Sequence, residues 1–424
     1  YAMSAGWMDQ DGTIVGSDFN RFNTRFNLDH QLTSFLKLGG SLAYTRTNEK
    51  ITLNDGSDGV IMQAITMQPQ VPVRDFDGNW AGPTTVNGSS SWNPVALALE
   101  KNNTLLRQRM MGNFYMSVDF LKNFTFRAEY AFDAGQNENN AYSPRYDFGL
   151  NKNDINQMYH REDHSFFWMQ KDYLTYHNNF GGRHDLTVMA GFEASKSSWR
   201  GTSFIKKNFT SDDIHVMTGD GEFVSNTGWK DAASTASVFG RVNYGFDNKY
   251  LLTATLRADG SSKFGPENKW GYFPSVALGW RINQENWFEN AAWLNNLKLR
   301  IGYGEVGNSN IDTYRYAAAM QNVNTPFGTG YFPMNLANSK LKWESSVQYN
   351  AGIDFAAFQN RLEFTFEVYN KETKDLLLQV YAPGHIGVTN DGNAIQTPYA
   401  NIGKTRNRGF DVYLVCRLLL EKKQ

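Results

Sequence analysis

Four groups of residues have the types and spacing that chemistry uses. Gly302-Tyr303-Gly304-Glu305-Val306-Gly307 satisfies G-x-G-x-x-G, a spacing that cradles a dinucleotide pyrophosphate when a strand precedes it and a helix follows. Asn308-Ser309-Asn310 and a polar stretch follow instead, so the glycines read as a strand leaving a sheet. His160 and His164 are four apart, which would put two metal ligands on one helix face; no third ligand is near, and a solvated segment between strands is the expectation. Asp9-Gln10-Asp11-Gly12, Asp55-Gly56-Ser57-Asp58-Gly59 and Asp75-Phe76-Asp77-Gly78 resemble fragments of calcium loops without the distal Glu. They read as turns, with one structural calcium in an outer loop left open. Carboxylates such as Glu129, Asp133, Glu363 and Glu367 suit a glycosidase pair only at a fixed separation across a sugar. On alternate residues of strands they line a wet interior more simply, so no catalytic residue, cofactor or metal is assigned.

The chain has 424 residues, a formal net charge of -1, 41% hydrophobic residues and 15% aromatic ones. Balanced charge gives no field for nucleic acid. No apolar run is long enough for a transmembrane helix, but a strand crosses a bilayer with only about 9 to 11 alternating residues. The single cysteine, Cys416, rules out an intramolecular disulfide framework. The opening Tyr1 to Gly6 reads as the middle of a strand, so the N-terminus is read as a truncation.

The elements that position these residues are strands, because apolar residues recur at every second place. In residues 236 to 307, Val238, Val242, Tyr244 and Phe246 share one side, with Phe239, Arg241 and Asn243 on the other. After a turn at Asp247-Asn248-Lys249 come Leu252, Leu256 and Ala258 opposite Thr253, Arg257 and Asp259. Phe22, Thr24, Phe26 and Leu28 oppose Arg21, Asn23, Arg25 and Asn27. The same hairpin recurs around Leu121-Lys122-Asn123, Gly181-Gly182 and Gln359-Asn360, giving about fourteen strands and no long helix, an antiparallel all-β fold.

Connection lengths alternate. Short turns occupy one end, and long polar loops are expected near residues 48 to 106, 138 to 163, 198 to 233, 307 to 342 and 374 to 405. That asymmetry belongs to a transmembrane β-barrel with short periplasmic turns and long extracellular loops, whereas sandwiches and propellers use similar turns at both ends. Rings near strand ends, such as Phe120, Phe124, Tyr244, Phe246 and Tyr250, fit a headgroup-level girdle.

Several long stretches resemble the SusC-like (SusC/RagA) TonB-dependent transporters of the outer membrane: GWMDQDGTIVGSDFNRFNTRFNLD at the start, WNPVA at Trp92 to Ala96, LTVMAGFE at Leu186 to Glu193, LRADGSSKFGPENKWGYFPSVALGWRI, LRIGYGEVGNSNI, and NIGKTRNRGFDVYL near the end. The resemblance implies import of glycans or peptides with a SusD-like surface lipoprotein and energy from a TonB-ExbB-ExbD complex, through a plugged barrel of about 22 strands. On that reading residues 1 to 415 are part of a barrel, with the plug and first strands missing upstream and the last strands missing downstream. Residues 416 to 424, where alternation stops, read as a truncation or frameshift end.

Arg21, Arg25, Arg127, Glu129, Arg241, Arg257, Glu363 and Glu367 are expected to face the lumen. Trp80, Trp92, Tyr146, Trp199, Trp229, Tyr331 and Phe332 are expected in outer loops, stacking on a substrate or packing within loops or against the lipoprotein. A passive porin or adhesin-type barrel and a soluble glycan-binding β protein are the competing readings.

Overall fold

The structure is a computed structural model that describes residues 1–52, 56–84, 91–213, 216–217, 220–380 and 395–417. Period-two segments pair in chain order into one 14-stranded antiparallel sheet. Its strands are β1 (Ala2–Asp11), β2 (Asp18–Gln31), β3 (Leu36–Lys50), β4 (Asn102–Phe120), β5 (Phe124–Ser143), β6 (Gln157–Phe180), β7 (His184–Lys207), β8 (Glu222–Phe246), β9 (Tyr250–Ser261), β10 (Trp270–Arg281), β11 (Leu294–Asn308), β12 (Glu344–Ala357), β13 (Leu362–Lys374) and β14 (Lys404–Cys416). Among the described residues the sheet is not closed, and β1 and β14 are its edges.

The two faces carry the logic of the fold. Directly opposed partners share a face, so the register Leu38↔Met116, Met116↔Ala128, Phe192↔Val238, Val238↔Ala258 and Ala258↔Tyr272 draws one apolar row across the sheet. The large side chains of this row are exposed: Val238 is 54% and Tyr272 66% accessible. On the other face Glu193 and Asp259 are only 17% and 15% accessible. Exposed apolar residues with shielded charges invert the arrangement of a water-soluble sheet, and they suit a wall with hydrocarbon outside and polar contents inside. One interruption lies on β6, where Gln170 Nε2 donates to Asp172 at 2.8 Å on the apolar face between Ala128 and Phe192.

The short turns occur where expected, and their backbones explain the residues there. Gly181 and Gly182 have φ of +60° and +71°, and Asp247 and Asn248 have φ of +51° and +56°, the left-handed pair that a two-residue hairpin needs. Rings follow this end of the sheet: Phe120 to Phe124 at 5.7 Å, Phe124 to Tyr176 at 4.9 Å and Tyr250 to Trp280 at 6.4 Å between centroids. Glu285 accepts from Tyr250 Oη at 2.8 Å and Trp280 Nε1 at 3.0 Å, holding the polar tips toward water.

The loop boundaries need correction. The strands β5, β6, β7 and β8 run through much of the segments expected as loops at 138 to 163 and 198 to 233, leaving only residues 144–156 and 208–221 as connections. The reason is physical: above a bilayer both faces of a strand meet water, so the apolar alternation fades while the hydrogen-bond ladder continues. Two connections also break the expected alternation, since residues 262–269 are short at the outer end and residues 282–293 are long at the other. The segment 51–101 holds two short helices, α1 (Val60–Thr66) and α2 (Pro94–Glu100), which bury Val60, Leu97 and Ala98 with Ile14 and Trp92. Asn93 caps α2 by accepting from Val95 and Ala96 amides, both at 3.1 Å. The tail expected from residue 416 begins later: Cys416 is the last residue of β14, paired with Leu362, and Arg417 pairs with Glu363, while residues 418–424 lie outside the described residues.

Candidate functional site

Alternation places the charged side chains of the inner face in rows, and the register joins them into networks. Arg127 Nε donates to Glu129 at 2.6 Å, and Tyr173 Oη reaches the same carboxylate at 3.4 Å. Arg257 bridges Glu193 at 2.8 Å and Asp259 at 2.6 Å, and it also donates to Ser237 Oγ at 2.9 Å. Arg300 links Asp354 at 3.3 Å with Glu367 at 2.5 Å. Glu363 pairs with Arg417 at 3.2 Å, and Arg241 donates to Asn243 at 3.3 Å. All eight residues expected toward the lumen lie on this face. Arg21 and Arg25 are exposed there, near the sheet edge.

Of the seven candidate aromatics, the structure gathers two pairs. Trp199 and Trp229, on β7 and β8, lie 6.3 Å apart and tilted 39° on the charged face, with the Arg161 guanidinium 4.8 Å from the Trp229 ring. Both sit on strands, which corrects their expected place in a loop. Trp92 and Tyr146 lie 5.4 Å apart, with Tyr146 stacked on Phe148 at 4.5 Å, and Trp92 packs against the α1/α2 cluster. Trp80 stands apart, its ring covered by Arg74 at 3.7 Å and its Nε1 donating to Glu100 at 2.6 Å. Tyr331 and Phe332 sit on a small hairpin, Gly328–Pro333 paired with Met320–Thr325.

Around Trp199 the charged face and three connections border a concavity of about 620 Å³, lined by Asp133, Phe167, Trp199, Asp231, Lys263 and Thr313 among others. Thr313 Oγ1 donates to Asp231 Oδ2 at 2.7 Å, so the connection after β11 folds back onto β8. Asp133 receives both guanidinium arms of Arg109, at 2.9 and 2.5 Å. Rings 38% to 44% accessible (Phe167, Trp199) beside carboxylate and hydroxyl groups can hold a polar ligand with apolar faces by stacking and hydrogen bonding. Phe167, Asp231, Lys263 and Thr313 were not anticipated. The neighbouring pattern on β6 could have placed Phe167 on the inner face; nothing local in the sequence brings Thr313 to Asp231.

Higher up, Asp212 ties the connections 144–156 and 208–221 together. It accepts from Tyr142 Oη at 2.7 Å, Asn156 Nδ2 at 2.8 Å and Arg145 Nε at 2.9 Å. Burial alone pushes its carboxyl up, but these hydrogen bonds outweigh it and hold the group at about 2.

The chemical motifs resolve otherwise. The Gly302–Gly307 run forms the outer end of β11, whose pairing with β10 stops at Gly304; a Cβ at Gly302 would meet Asn350 Oδ1 at 2.4 Å, so that glycine also accommodates a close neighbour across the inner wall. His160 and His164 lie on β6, not in a loop or helix; His160 Nδ1 is 2.7 Å from Asn140 Oδ1, and His164 Nε2 is 2.9 Å from Glu162. Asp75 accepts from the amides of Asp77 and Asn79 at 2.9 and 2.8 Å, an Asx turn. Asp9 and Asp11 are on β1, and Asp55 lies outside the described residues.

The family profile described as TonB dependent receptor-like, beta-barrel matches residues 68–415. TonB-dependent receptor P39 of Formosa agariphila is 30% identical over 421 residues, covering 98% of this chain and 39% of that protein. TonB-dependent receptor SusC of Bacteroides thetaiotaomicron is 28% identical over 458 residues, covering 100% of this chain and 44% of its own length. The chain therefore spans about two fifths of these relatives. The solved RagAB peptide importer in its closed-closed state superposes with a TM-score of 0.84 at 24% identity, over 99% of this chain and 47% of that one, which shows the fold. An antiparallel sheet with hydrocarbon-facing side chains outside and paired charges inside, matched over most of its length, makes this chain a member of the TonB-dependent receptor-like β-barrel family of the outer membrane.

Proposed function

We propose that the chain forms part of the wall of an active importer for a polar oligomer, a glycan in the first instance, with a peptide as the competing cargo. The observation that carries this reading is the Trp199 concavity, where exposed rings stand beside Asp231, Asp133 and Thr313 on the inner face near the outer end. Ring faces match the C–H faces of sugars, and carboxylates accept from hydroxyls. Binding and release at such a wall need no covalent chemistry, so the reading is of a transporter and not an enzyme. The SusC likeness at 28% identity supports a SusD-like lipoprotein as lid and TonB-ExbB-ExbD as the energy source.

The test is a binding and uptake screen with the complete barrel. Neutral oligosaccharides and short peptides are titrated against the receptor with its lipoprotein, and uptake is followed with and without a functional TonB. Binding of oligosaccharides with TonB-dependent uptake is expected. Uptake that persists without TonB would support a passive porin and refute the proposal; binding of peptides alone would refute the glycan assignment.

A further inference from the structure

We propose that the outward face of β6, β7 and β8, at the upper edge of the apolar band, binds the phosphate-bearing headgroup of an outer-leaflet glycolipid. The register puts His164 directly opposite Arg200, and Arg200 directly opposite Lys230, with Lys196 four residues down the same face of β7. Like charges directly opposite each other on a sheet repel. The inner face pairs its cations with carboxylates, as at Arg127, Arg257 and Arg300. Among the described residues, Lys196, Arg200 and Lys230 have no such partner, and all three are exposed.

Height selects the occupant. Lys196 lies ten residues up β7 from Leu186, the first apolar residue of the band. At about 3.3 Å per residue and a tilt near 40°, that is roughly 25 Å, the thickness of the band. Arg200 and Lys230 stand about 10 Å higher, at headgroup depth. The three cations, with Gln108, Gln136 and Phe166, line a concavity of about 620 Å³. Phe166 is 43% accessible, an apolar floor that a lipid uses and a free anion does not. The nearest outward carboxylate, Glu162, is engaged with Gln136 at 2.9 Å and His164 at 2.9 Å, leaving the three cations to meet an anion from outside the protein.

The experiment uses the receptor with its complete barrel, delipidated in detergent, and bisphosphorylated lipid A as the probe, read by native mass spectrometry. Heat-modifiable gel migration reports whether each variant is folded. Wild type should retain lipid A. Each charge removed should weaken retention about fivefold, and the combined Lys196→Gln, Arg200→Gln, Lys230→Gln variant roughly a hundredfold. Lys152→Gln, in the connection 144–156, should change nothing. If the triple variant does not fold, Arg200→Gln alone and a dephosphorylated lipid A on wild type carry the test. Equal retention by variant and wild type, or equal binding of the dephosphorylated lipid, overturns the proposal. Full displacement by inorganic phosphate would also overturn it, by showing a small-anion site.

Discussion

Leu256 and Arg257 are consecutive residues of β9 that face opposite ways, and exchanging their characters tests the orientation of the whole sheet. Leu256 is 56% accessible and lies between Gly240 and Pro274 on the neighbouring strands, neither of which offers a charge. Six residues up from Tyr250, it is about 15 Å above the ring girdle, close to the middle of a band roughly 25 Å thick. Leu256→Arg should therefore destabilise the barrel by about 2 to 4 kcal/mol. Arg257→Met removes ion pairs to Glu193 and Asp259 in a hydrated interior, where each is worth up to about 1 kcal/mol. The exposed position should thus be the more sensitive one, the reverse of a water-soluble sheet. Equilibrium urea unfolding of the complete barrel in lipid vesicles, followed by tryptophan fluorescence, measures both. A Leu256→Arg cost below that of Arg257→Met would show that the apolar face is not against hydrocarbon.

Other expectations follow from particular contacts. The Asp212 carboxyl, at about 2 in the fold against an ordinary 3.8, stabilises the loop knot fully above about pH 4 and loses that contribution as pH falls toward 2. Asp212→Asn at pH 7 should lower hydrogen-exchange protection of the Phe209 amide, which donates to Asn156 Oδ1, to the wild-type level at pH 2; unchanged protection would refute the coupling. Trp199→Ala should weaken substrate binding by about 1 to 3 kcal/mol, as expected for loss of a stacking ring, with unfolding midpoints unaltered. Gly182→Val, at φ +71°, should cost about 1 to 2 kcal/mol, read as an earlier urea midpoint.

Facing was legible in the sequence wherever a bilayer lies against the sheet. Phe22, Phe26 and Leu28 alternate with Arg21, Arg25 and Asn27 because one side meets hydrocarbon and the other does not, and the structure puts the two sets on opposite faces of the sheet. Turns were legible because Gly181-Gly182 and Asp247-Asn248 supply left-handed geometry that few other pairs tolerate. What was illegible begins where the bilayer ends: Asn137 to Asn140 and Ser197 to Thr202 are polar on both sides, and a strand in water on both faces writes no alternation. The candidate site lies in that zone. Trp199 and Trp229 stood out by type, but their company with Phe167, Asp231 and Thr313 depends on strand register and on a connection more than eighty positions away in the chain.

On the proposed importer reading, the overhang of β5 to β8 bears on how a transport cycle would divide its labour. On β7 eleven residues continue beyond Lys196 to Lys207, lifting the rim roughly 25 to 30 Å above the hydrocarbon. Because this parapet is laddered backbone and not loose chain, its Trp199 surface is preorganised, and little entropy is lost there when cargo arrives. Any closure over the mouth then has to come from whatever caps it, descending onto masonry that stays put.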